Sequence, residues 1–178
     1  IDGHAPGLSG ENLKKYISSG ITTDHECSSV NEAVSKLELG CKVQIREGSA
    51  AKNFEALNEI IKRFPDQVMI CTDDSHPDDL IKGHINDIFK RGLEKGHNLF
   101  DMIKVSSVNP VLHYSLAVGL LRVNDPADFI VLNNLQELKI LKTFIDGNEI
   151  FDGETVSLPE SKKIYINNFA REIIEIKD

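Results

Sequence analysis

Apolar positions along this chain alternate between helical and extended spacing. Residues 11–17 read as a helix capped by Ser9 and stopped by Gly20. Ile21-Thr22-Thr23 is β-branched and therefore extended. A second helix is predicted over residues 28–40, with Val34, Leu37 and Leu39 on its inner face and Gly40 as its stop. Residues 41–47 alternate as a strand does. Beyond Gly48-Ser49, Phe54, Leu57, Ile60, Ile61 and Phe64 recur at helical spacing over residues 52–64, and Pro65-Asp66 ends that run. Residues 67–71 form a continuous apolar strand, the kind that is buried on both faces of a parallel sheet. Further helices are predicted over residues 78–95, over 99–105, and after Asn109-Pro110.

A βαβα rhythm with short connections predicts a parallel α/β sheet. A closed eight-stranded barrel takes roughly 250 residues. Here about four strands are visible, so the pattern describes half a barrel or a small open sheet. It breaks near Val123-Asn124-Asp125-Pro126. Residues 127–132 and 139–153 then read as strands, with Asp146-Gly147-Asn148 as a hairpin turn. This tail predicts a small antiparallel β unit. The stretch 161–178 is charged, with apolar residues in a looser pattern.

Charge narrows the possible partners. The 178 residues carry 28 Asp and Glu against 20 Lys and Arg, a net charge of −8. Nucleic acid or an anionic membrane would need clustered Lys and Arg, so neither is expected as a partner. Cys27, Cys41 and Cys71 form no C-x-x-C pair and are odd in number, which fits a reduced, cytoplasmic protein better than a disulfide scaffold. Cys41 and Cys71 sit in strand-like runs as small hydrophobes. No segment has the length and apolarity of a membrane span, and no signal peptide is visible. Ile1-Asp2-Gly3-His4 opens inside a motif without an initiator Met, as expected of a piece of a larger protein.

Candidate chemistry sits at the ends of three predicted strands. His4 follows the first, His25 the second, and the run Thr72-Asp73-Asp74-Ser75-His76-Pro77-Asp78-Asp79 follows the fourth. Catalytic groups of parallel barrels stand at such carboxyl ends. Imidazoles and carboxylates together bind first-row divalent metals, and a bound metal brings the pKa of water toward neutrality. A strand-end carboxylate can then move a proton to a leaving group. Each motif also has a plainer reading. A lone His at a strand end is commonly a hydrogen-bonded structural residue, and Asp73 or Asp74 could cap the helix that begins near Pro77. Arg46-Glu47-Gly48-Ser49 suits a loop that approaches a ligand, or else a surface ion pair with a helix cap. It lacks the Gly-Lys-Ser/Thr ending of a phosphate-binding loop. His84 is placed at the mouth of the site, and His97 and His113 are read as structural or exposed.

Four motifs in order carry a family resemblance: residues 2–10 (Asp-Gly-His-Ala-Pro-Gly-Leu-Ser-Gly), Thr23-Asp24-His25-Glu26, Arg46-Glu47-Gly48-Ser49-Ala50-Ala51-Lys52-Asn53, and residues 72–80. Over residues 1 to about 110 the chain resembles the adenine deaminases of bacteria and archaea, a family of the amidohydrolase superfamily. The resemblance implies an α/β fold, namely strands five to eight of a TIM-type (β/α)8 metal-dependent hydrolase barrel over residues 1–122. A small antiparallel β segment, part of a β-sandwich, would follow over 123–178 with the start of a C-terminal region. It implies hydrolysis of adenine to hypoxanthine and ammonia at a dinuclear Mn2+ or Fe2+ centre. His4, His25 and Asp73 would be metal ligands, and Asp73, with His25 and with Asp74 as the alternative carboxylate, the catalytic set. Arg46, Glu47, Ser49 and His76, with Asp78 behind them, would face the substrate.

The family's first His-x-His pair and its bridging carboxylate are absent from these residues. The chain is therefore expected to bind metal weakly, to lack deaminase activity alone, and to self-associate through open sheet edges. Two other functions remain open. One is a different amidohydrolase, such as a cyclic amidase or an amino-sugar deacetylase. The other is a non-catalytic interaction module.

Overall fold

In the computed structural model, which describes residues 1–158, two sheets account for all the strands. The first is parallel and four-stranded, in the sequential order β1 (Asp2–Gly3), β2 (Thr23–Asp24), β3 (Lys42–Arg46) and β4 (Val68–Cys71). Helices α1 (Gly10–Ser18) and α2 (Val30–Glu38) make the first two crossovers. The third crossover holds α3 (Phe54–Leu57) and α4 (Ile60–Arg63). After β4 come α5 (Pro77–Leu80), α6 (Ile85–Glu94), α7 (Leu99–Ile103), a π-helical turn (Lys104–Val108) and α8 (Asn109–Tyr114). The second sheet is an antiparallel meander of β5 (Phe129–Leu132), β6 (Ile140–Ile145) and β7 (Asn148–Phe151). Its β6–β7 turn is Asp146-Gly147, both with positive φ (49° and 77°), as a tight hairpin twisting with its strands requires.

The helices depart from the predicted spans for local reasons. Residues 52–64 make two short helices because Asn58 turns its side-chain amide back onto the carbonyls of Phe54 and Glu55, competing with the backbone ladder. The expected helix over 78–95 is divided at Gly83-His84, where Asn86 takes the His84 amide. Residues 99–114 run as one helical stretch through the π turn instead of stopping at 105. The side-chain amide of Asn109 donates to the carbonyls of Pro65 and Val68, fastening that turn to the start of β4. The expectations for 161–178 lie outside the described residues.

Register decides what the parallel sheet presents. Asp2 pairs Thr23, Thr23 pairs Lys42, Gln44 pairs Met69, and Arg46 pairs Cys71. Side chains alternate along a strand. One face therefore carries Asp2, Thr23, Lys42, Gln44, Arg46, Met69 and Cys71. The opposite face carries Gly3, Asp24, Val43, Ile45, Val68 and Ile70. That second face is the core. Val43, Ile45, Val68 and Ile70 are buried against Leu37, Phe54, Ile60, Ile88 and Met102 from the helices. β4 is buried on both faces, as its unbroken apolar run requires. Midway along the first face, the Tyr114 hydroxyl donates to Asp2 (2.7 Å) and accepts from Gln44 (2.9 Å), tying α8 across β1 and β3.

Phe54 locks the third crossover. It is fully buried, and the Arg91 guanidinium lies 4.7 Å from its ring centroid. Truncating such a side chain costs about 3–5 kcal/mol. Phe54→Ala should lower unfolding free energy by that amount in urea titrations. A loss below about 1 kcal/mol would contradict the packing described.

Candidate metal centre

The carboxyl ends of the four parallel strands bring one group from each onto the first sheet face. His4 and His25 follow β1 and β2 in matching register, and their rings meet edge to face with centroids 4.4 Å apart. Arg46 ends β3, and Asp73 stands two residues beyond β4. Asp73 has φ of 46°, in the left-handed region that Asp enters more readily than most non-glycine residues. Its carboxylate lies 3.8 Å from His25 Nε2 and 2.7 Å from Arg46 Nη1. Glu26 completes the group, with Oε1 3.5 Å from His25 Nε2 and 3.1 Å from Arg46 Nη1. The guanidinium thus bridges two carboxylates that would otherwise repel.

These residues fit a divalent cation. His25 Nε2 is buried without a hydrogen-bond partner, a costly condition for a polar atom. Ligand atoms of His4, His25 and Glu26 all lie within 4.8 Å of one another. Two imidazoles with carboxylates beside them make a donor set for first-row metals.

Immediately behind this face lies a buried ionic cluster. Lys36, wholly inaccessible on α2, donates to Asp24 Oδ2 (2.8 Å), Glu32 Oε1 (2.8 Å) and the Ala5 carbonyl (2.6 Å). Asp24 Oδ1 accepts from the Ala5 amide (2.8 Å), and Glu32 accepts from the Gly7 amide (2.7 Å). Burial alone would raise the Asp24 carboxyl, but hydrogen bonds from Lys36, the Ala5 amide and Cys27 outweigh it and hold the pKa below the usual range. Burial would likewise lower Lys36, yet bonds to Asp24 and Glu32 raise it above the ordinary lysine value. Burial pushes the Cys27 thiol up, so the sulfur beside the ammonium stays neutral.

The remaining predicted residues are dispersed. Glu47 points to the helix side, pairing with Arg91 and accepting the Phe54 amide at the start of α3. Ser49 donates to Asp79 (2.6 Å) and accepts the His76 amide (2.8 Å), strapping the β3 and β4 loops together. The His76 ring is exposed, 3.4 Å from Asp78. Asp74 packs against Gly48, where a Cβ would come within 2.9 Å of the Thr72 carbonyl, so a glycine is needed. His84 bonds Thr72 (3.0 Å) and lines a helix-side cleft of about 210 Å³ with Glu47, Ser49 and Arg91. His97 is buried against Asn58, and His113 touches Thr22.

Sequence reasoning passed over Glu26 and the Lys36 cluster. Glu26 stood inside a quoted motif, and its proximity to His25 was the available signal. Lys36 looks like any solvated helix lysine four residues after a glutamate, so nothing in the pattern marked it as buried. Cys27, Cys41 and Cys71 are free thiols. Among the described residues no helix is long and apolar enough to cross a membrane.

Proteins of known family share this sequence and fold. Residues 1–150 match the model of the amidohydrolase family. The chain is 54% identical over 179 residues to an adenine deaminase of Methanosarcina mazei, covering all of this chain and 32% of that protein. It is 51% identical over 173 residues to one from Borreliella burgdorferi, covering 95% and 32%. It therefore spans about a third of the length of these curated relatives. A solved β-aspartyl dipeptidase from Fervidobacterium islandicum AW-1 superposes with a TM-score of 0.67 at 22% identity, covering 89% of this chain and 48% of that one. The fold, the strand-end residues and the family match agree: the chain belongs to the amidohydrolase family.

Proposed function

We propose that the protein to which this chain belongs is an adenine deaminase, and that the four parallel strands are strands five to eight of its barrel. The supporting observation is the convergence of His4, His25 and Asp73 on one sheet face, around a buried imidazole nitrogen without a partner. The relatives named adenine deaminase supply the substrate class. On this reading residues 1–122 belong to the barrel, and the described residues from 123 onward to a β-sandwich. The enzyme works in the cytoplasm.

A divalent ion, Mn2+ or Fe2+, held by His4 and His25 with Asp73 would supply a water acidic enough to react near neutral pH. The chain's own groups do the rest. Asp73 takes a proton from the attacking water and returns it to the departing amino nitrogen. The water oxygen ends on the ring carbon, and ammonia leaves. Arg46 holds the Asp73 carboxylate in place and neutralises Glu26, leaving Asp73 free to face the reacting atoms. Glu47, Ser49 and His76 brace the two loops that frame the substrate.

In the full-length protein, His25→Ala should strip divalent metal and abolish ammonia release from adenine. Asp73→Asn should lower kcat by about 10²–10⁴ with KM little changed. The 178-residue chain alone serves as the inactive control. Wild-type turnover by either variant would contradict the assignment. Turnover of cyclic amides with none of adenine would favour the other amidohydrolase reading.

We also propose that the isolated chain self-associates. β1 and β4 end the parallel sheet, with Ile1, Ile81, Leu121 and Val123 exposed among the described residues. Sedimentation velocity should show a mass rising with concentration. A monomer at every concentration would contradict this.

A further inference from the structure

We propose that Lys36, acting with Asp24 and Glu32, is a positioning residue that sets the separation of His4 and His25. The proposal rests on the metal-dependent reading of the site.

Replacing a buried ion cluster by apolar side chains is frequently neutral or stabilising, so stability alone does not account for this one. Its bonds suggest a different role. The ammonium of Lys36 meets three oxygen acceptors, one of them the Ala5 carbonyl, with the Cys27 sulfur beside them. Asp24 grips the Ala5 amide, and Glu32 grips the Gly7 amide. Ala5 directly follows His4, and Asp24 directly precedes His25. The cluster therefore clasps both polar backbone groups of Ala5 and links them to β2 and α2. β1 and β2 are only two residues long and pair through few backbone bonds. Besides the cluster, the Thr23 hydroxyl bonds Asp2 across the two strands, on the N-terminal side of both histidines. None of the three charged groups lies on the metal-facing side, so they act on the metal through the loop and not by contact. Residues that orient metal ligands in this way affect affinity by about 10- to 100-fold.

The test uses the full-length protein and Mn2+ affinity measured by chelator competition without adenine. Lys36→Met, near-isosteric but uncharged, should weaken Mn2+ binding by about 10- to 100-fold. Glu32→Gln should weaken it by a smaller factor, and both should speed hydrogen exchange in the peptide containing Ala5 and Gly7. Ile60→Val, a core change in the helix layer, controls for lost stability and should alter neither readout. Folded Lys36→Met with Mn2+ affinity within twofold of wild type would overturn the proposal. Should Lys36→Met fail to fold, unchanged affinity and exchange in Glu32→Gln would overturn it instead. A wild-type protein that binds Mn2+ but does not deaminate adenine would remove the proposed reaction and leave the positioning role intact. A wild-type protein that binds no metal would remove both the proposed reaction and the positioning of metal ligands.

Discussion

Two-residue alternation in a parallel sheet of fixed register governs this structure. With Gln44 opposite Met69 and Arg46 opposite Cys71, a slip of one residue would send Arg46 into the helix layer and Glu47 onto the open face. Continuous burial of Val43, Ile45, Val68 and Ile70 under the helices forbids that slip. The hydrophobic core therefore does more than hold the sheet together. It selects which polar residues at the strand ends can meet, and so places His4, His25, Arg46 and Asp73 on one side. The same constraint sends Asp24 to the other side, where Lys36 meets it.

The two sides handle charge differently. On the open face, Arg46 lies between Glu26 and Asp73, whose carboxylates remain partly exposed. Behind the sheet, Lys36 and Asp24 are buried and paired, and their shifted ionisation reflects those hydrogen bonds, which outweigh burial. A site that binds a cation needs both: ligands that are incompletely satisfied, and supports that are.

Much of this was legible in the sequence because it depended on local pattern. The β-branched and apolar runs marked the parallel strands, Gly20, Gly40 and Pro65 marked the ends of the helices between them, and Asp146-Gly147 marked the hairpin. His4, His25 and Asp73 could be found because each stands one or two residues beyond a recognisable strand. Long-range effects were not legible. The split of residues 52–64 depends on where Asn58 turns its amide, and the continuous helix from 99 to 114 is fastened through Asn109 to the start of β4. Glu47 and Ser49 lay beside Arg46 in one motif, yet alternation and loop strapping draw them away from it. The burial of Lys36 is likewise a product of packing, invisible in a helix whose neighbouring Asn31, Ser35 and Glu38 are exposed.

The most direct test is anomalous diffraction from crystals of the full-length, metal-loaded protein. The geometry described here predicts a metal peak bonded by ring nitrogens of both His4 and His25 at about 2.0–2.2 Å, with the Asp73 carboxylate beside it. Catalytically active crystals whose metal peak lies away from both imidazoles would contradict it.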